Sequence, residues 1–92
     1  MITAIVFVKA DVARIPEVAE QIAALDGVSE VYSVTGQIDL IVLVRVRNHD
    51  DVAAVVADQL NKVPGVTSTE THIAFRAYSR HDLESAFALG LD

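Results

Sequence analysis

The sequence predicts an α+β fold: two β-α-β halves that build one four-stranded antiparallel sheet, backed on one face by two helices, with a short helix after it. Three observations lead there. Apolar residues switch between strand spacing and helical spacing in the order β-α-β-β-α-β. The two halves repeat one another: Ile5 and Leu43, Val18 and Val56, Ile22 and Leu60, Leu25 and Val63, Gly27 and Gly65, and Val28 and Val66 all stand the same number of positions apart. Finally, Leu40 to Val44 are consecutively apolar, so the third strand needs cover on both of its faces.

Each element has its own signal. Ile2 to Lys9, rich in β-branched and aromatic residues, reads as the first strand. Ile15, Val18, Ala19, Ile22 and Leu25 fall on one helical face, with Pro16 in the first turn, where a missing N–H costs nothing, and Gly27 at the C-cap. Val28 to Thr35 is the second strand, Gly36-Gln37-Ile38-Asp39 a turn, and Leu40 to Val46 the third strand. Asn48 or Asp50 caps a second helix whose apolar face is Val52, Val55, Val56, Leu60 and Val63; Pro64-Gly65 ends it. Val66 to Ala77 is the fourth strand, and Leu83, Ala86, Phe87 and Leu91 give a terminal helix. Two equal β-α-β halves make the ferredoxin-like split βαβ, in which both helices cover one face. The exposed second face of the third strand then predicts a homodimer that pairs sheet against sheet.

Composition excludes several function classes. The chain has 92 residues, enough for one domain. It is 52% hydrophobic but only 5% aromatic, an aliphatic surplus that points to self-association. A formal charge of −6 with no basic cluster argues against direct nucleic-acid binding and against docking on anionic membrane. The absence of cysteine removes disulfides and thiolate metal sites. Met-Ile-Thr-Ala opens the chain without a basic segment and no apolar run can span a bilayer, so a cytoplasmic protein is expected.

The sequence offers little catalytic chemistry. His49, His72 and His81 sit on separate elements and read as structural or solvated side chains, not as converging metal ligands. No nucleophile elbow, dinucleotide fingerprint or phosphate-binding loop is present. Asp50 and Asp51 complement a helix N-terminus. No cofactor is expected. Two polar segments stand out: Val34-Thr35-Gly36-Gln37-Ile38-Asp39, whose plainest reading is a hairpin turn, and Thr67-Ser68-Thr69-Glu70-Thr71, where alternation places Thr67, Thr69 and Thr71 on one face with Ile73 and Phe75. A turn between the central strands and a hydroxyl-rich edge strand can both border an oligomer seam, where N–H groups and hydroxyls would meet a carboxylate or ammonium.

At these residues the sequence resembles a known family. The run from Val34 to Leu40, followed by an apolar strand and then Val63-Pro64-Gly65-Val66-Thr67-Ser68-Thr69-Glu70-Thr71, is similar to the effector-binding (RAM) domain of Lrp/AsnC transcriptional regulators, over about Ile2 to Ala77. The resemblance implies the βαββαβ fold, face-to-face dimers, octamers of four dimers, and amino-acid effectors held between dimers. Carried over residue by residue, it implicates Thr35, Gly36, Gln37, Ile38 and Asp39 with Thr69 and Thr71. Full-length members carry an N-terminal helix-turn-helix. This chain begins with strand one and so resembles the stand-alone members, with residues 1–78 as the domain and 79–92 as a helical tail to which the family lends no role.

The leading reading is therefore a non-enzymatic, oligomeric sensor of an amino acid or related metabolite, acting in transcriptional or metabolic regulation without a DNA-binding domain of its own. Two others fit the same fold: a small dimeric enzyme of monooxygenase or isomerase type, which needs a polar residue pointing into a pocket between helices and sheet, and a ligand-free assembly partner of full-length regulators.

Overall fold

A computed structural model describes residues 1–78 and Arg80. Strand β1 spans Ile2–Ala10, helix α1 Ile15–Ala23, β2 Val28–Ser33, β3 Leu40–Val46, α2 His49–Val56 and β4 Val66–Ile73. Short 3-10 turns, Val12–Arg14 and Leu60–Lys62, lead into α1 and out of α2. The four strands form one antiparallel sheet in the order β2-β3-β1-β4, the ferredoxin-like arrangement. The predicted terminal helix lies outside the described residues.

The core lies between the sheet and the helices. Ala4, Val6 and Val8 of β1 and Leu40, Val42 and Val44 of β3 are fully buried, and they pack with Val18 and Ile22 of α1 and with Val52, Val55 and Val56 of α2. Side chains alternate between the faces of a strand, so Ile5, Phe7, Ile41 and Leu43 point the other way. They are half-buried, and no described helix covers them. The halves repeat in space as in sequence. Ile5 pairs with Leu43 across the sheet, and Gly27 and Gly65 both take positive φ, 94° and 102°, directly before β2 and β4. A Cβ on Gly65 would stand 2.7 Å from Val18 Cγ2, and one on Gly27 2.7 Å from Val55 Cγ2, so each glycine lets one half lie against the helix of the other.

Four expectations need correction. Strand β4 ends at Ile73, not Ala77, because its partner runs out: Ile73 pairs with Ala4, Ala74 N–H still donates to Thr3 O at 2.9 Å, and β1 begins at Ile2. Strand β2 likewise stops at Ser33, the last residue paired with β3, and not at Thr35. The hairpin from β2 to β3 does not join two central strands, since β2 is an edge. Finally, the threonines do not share a face with Phe75. A register shift between Lys9 and Ala10 leaves Thr67 as the extra residue, and Phe75 lies beyond the strand's end. Thr69, Thr71 and Ile73, paired with Val8, Val6 and Ala4, are on the side of the helices.

Candidate functional site

The hairpin from Val34 to Asp39 is tied to the end of β1 by a single residue. Asp39 N–H donates to Val8 O at 3.0 Å, Val34 N–H donates to Asp39 O at 3.1 Å, and the Asp39 carboxylate Oδ2 accepts the Ala10 N–H at 2.8 Å. The carboxylate replaces the next backbone carbonyl of the ladder, where β3 has already turned away. It thereby fixes the loop against β1, with Gly36 at its tip in positive φ, 104°.

This anchoring creates a groove of about 340 Å³ at the hairpin end of the open sheet face, within the range of about 300–1,000 Å³ usual for small-ligand clefts. Gln37 and Ile38 supply one wall, Ser68, Thr69 and Glu70 of β4 the other, and Phe7 and Lys9 of β1 lie between them. Of the residues expected from sequence, the structure thus brings Gln37, Ile38 and Thr69 together. Thr35, Gly36 and Asp39 stay in the hairpin outside the lining, and Thr71 stands opposite Val6. Thr69 Oγ1 donates to Asn61 Oδ1 at 2.8 Å, and Thr67 Oγ1 donates to Lys9 O at 2.9 Å, so two of the threonine hydroxyls fasten β4 to its neighbours.

Phe7, Lys9, Ser68 and Glu70 also line the groove and are not among the residues expected from sequence. Their signal was present: Lys9 is a lone cation ending an apolar strand, and Ser68 and Glu70 alternate with the threonines on the opposite face of β4. Glu70 Oε2 lies 3.0 Å from His72 Nε2, and the His72 ring packs on Phe7 with centroids 5.1 Å apart. Both partners of that pair are exposed, so it orders Glu70 without removing its charge from water. No described group of His, Cys, Asp or Glu could hold a metal ion, and no described helix is long and apolar enough to cross a membrane.

Comparison with known proteins places the chain. The model of the Lrp/AsnC ligand binding domain matches residues 3–83. An uncharacterized HTH-type transcriptional regulator of Pyrococcus horikoshii is 44% identical over 59 residues, 64% of this chain and 39% of that protein. The chain thus spans well under half the length of this curated relative. The crystal structure of TTHA0845 from Thermus thermophilus superposes with a TM-score of 0.82 at 45% identity, covering 87% of this chain and all of the other. The Neisseria meningitidis transcriptional regulator NMB0573, solved as a complex with L-Met, shares the fold at a TM-score of 0.76 and 17% identity, over 86% of this chain and 53% of that one. The chain belongs to the Lrp/AsnC ligand-binding domain family.

Proposed function

We propose that this domain is a non-enzymatic, amino-acid-responsive module of transcriptional regulation that works as a sheet-to-sheet homodimer, able to gather into larger rings and to associate with full-length regulators of its family. One observation carries the reading: the hairpin and β4 converge on a groove that presents one cation, Lys9, and one anion, Glu70, beside the apolar surface of Phe7 and Ile38. An α-amino acid has the complementary charges. Its carboxylate suits Lys9 and the hydroxyl of Ser68, its ammonium suits Glu70, and its side chain suits Phe7 and Ile38. Asp39 then acts by holding the hairpin in place, since one of its oxygens already accepts the Ala10 N–H. Support comes also from the regulator complexed with L-Met, a relative in fold.

The dimer rests on Ile5, Ile41 and Leu43, an apolar face without a described partner, and leaves the groove at its rim. With a charge of −6, the domain would act on DNA only through other parts of a regulator. Calorimetric titration with a panel of amino acids tests the reading. At least one should bind, and Lys9→Gln or Glu70→Gln should each weaken it about tenfold or more, the scale of one lost charge-assisted bond. Binding by none, or equal affinity in both variants, would dismiss this site.

A further inference from the structure

The open sheet face is built like one half of an interface between identical chains. Ile5, Ile41 and Leu43 form its apolar centre. Register places Glu30 on the same face through Leu43 and Glu70 through Phe7, and alternation adds Lys9 and Arg45. Cations and anions thus balance around the centre, although the chain as a whole carries −6. Like chains repel over most of such a surface, but not here. Beside this face stands the segment that follows β4. Ala74, Phe75, Arg76 and Ala77 wall a depression of about 450 Å³ whose floor is Ile5 and Leu43. Met1, Phe75 and Tyr78 are the most exposed large apolar side chains among the described residues, and all belong to the start of β1 or to this segment. Phe75 is 98% exposed, so its ring finds no cover on the floor that its own chain provides.

We propose that residues 74–78 are a dimerisation arm: in the sheet-to-sheet pair, Phe75 of each chain is buried on Ile5 and Leu43 of the other and fills the depression there. The arm rests on the homodimer proposed above and adds the segment that closes it. A two-fold interface is isologous, so whatever covers the depression of one chain has its own depression covered in return. The segment after β4 meets that condition, because it carries the most exposed ring among the described residues and adjoins the floor that needs cover. Reach is not an obstacle. Leu43 is the middle residue of β3 and Ile5 its partner on β1, so the floor lies near the middle of the face, where the two sheets of a symmetric pair overlap. Aromatic anchors at the apolar centre and charged groups left at a wet rim are the usual anatomy of such contacts.

The test starts from sedimentation equilibrium of the full chain, wild type and Phe75→Ala. Both rings of a pair are lost in the variant, so the dimer dissociation constant should rise about a hundredfold, roughly tenfold for each ring. Urea denaturation at a concentration where both proteins are monomeric should give one shared midpoint, since the ring is exposed in its own chain. Placement is read by cross-linking. The chain has no cysteine, so a Phe75→Cys chain mixed with a Leu43→Cys chain offers a short bis-maleimide thiols at those two positions alone. The mixed product should form well above the yield of Val12→Cys with Leu43→Cys, Val12 being 80% exposed but at the hairpin end. A wild-type monomer at micromolar concentration would remove the dimer and the arm together. A wild-type dimer whose constant is unchanged in Phe75→Ala, or a mixed product no more abundant than the Val12 control, would remove the arm alone. So would a lower urea midpoint in monomeric Phe75→Ala, which would put the ring's cover within its own chain.

Discussion

Strand β3 has two apolar faces with different fates. Leu40, Val42 and Val44 are fully buried under α1 and α2, whereas Ile41 and Leu43, equally apolar, remain half-buried on a side that no described element covers. The difference shows what hydrophobic patterning can and cannot say. It measures how much surface needs cover, and says nothing of whether the cover comes from within the chain or from outside it. Two neighbouring substitutions break the comparison most sharply. Val42→Asp would place a carboxylate among valines with no hydrogen-bonding partner, a penalty of several kcal/mol that rivals the whole stability of a small domain, about 5–15 kcal/mol. Circular dichroism should show that variant unfolded. Leu43→Asp should keep its secondary structure and, by light scattering, lower the mass from dimer to monomer. A wild-type monomer at micromolar concentration, or a Leu43→Asp dimer, would undo the assignment of the two faces.

The covered face can be probed through its closest backbone approach. Gly65 holds φ at 102°, and a Cβ there would meet Val18 Cγ2 at 2.7 Å. Gly65→Ala combines an unfavourable left-handed backbone with overpacking against a fully buried valine, and should cost about 2–4 kcal/mol. Urea denaturation reads this directly as a lower midpoint. A loss under about 1 kcal/mol would mean that α1 yields easily, and that the covered face is less tightly packed than its burial suggests.

The contrast also explains which parts of the molecule were legible in the sequence. The covered side was readable because helical spacing at Val18 and Ile22 and strand alternation at Val6, Val8 and Val42 are periodic signals, and all of these residues are fully buried. The repeat was readable too: Gly27 and Gly65 recur in both sequence and φ. What failed was register. Alternation alone puts Thr67 with Thr69, but one extra residue opposite the Lys9–Ala10 step removes it, and nothing local announces that bulge. The hairpin is legible as a turn, but the groove it forms with Lys9 and Glu70 is not, because the β1–β4 pairing that makes those two neighbours joins residues far apart in sequence.

Asp39 stands immediately before β3 and ties the hairpin to β1, and its substitution sharpens the comparison at intermediate scale. Asp39→Ala leaves the Ala10 N–H without its partner, at a cost of about 1–3 kcal/mol. Asp39→Asn retains an acceptor oxygen and should lose distinctly less. Chemical denaturation ranks the two. If Asp39 also met an effector's ammonium directly, Asn and Ala would both weaken binding in the folded fraction, although they differ in stability through the Ala10 N–H contact.

The smallest effect lies on the open face, at its β2 edge. The Tyr32 hydroxyl donates to the Glu30 carboxylate, and that hydrogen bond, reinforced by the carboxylate's charge, raises the phenol's pKa above its ordinary value near 10, with Arg45 opposing. A pKa raised in the folded state means that this contact stabilises the fold below the ordinary phenol value and loses that contribution as pH climbs through the folded one. Since Tyr32 is 48% exposed, solvent screens the pair, and the effect belongs in a titration and not in a melting curve. The chain has 2 tyrosines, so the Tyr78→Phe background isolates Tyr32 for ultraviolet difference spectroscopy. Adding Glu30→Gln should move the ionisation midpoint down, because the charge that opposes phenolate is gone. An unmoved midpoint would show that the contact does not persist in solution, and that this edge of the open face is more mobile than the valine-lined side behind it.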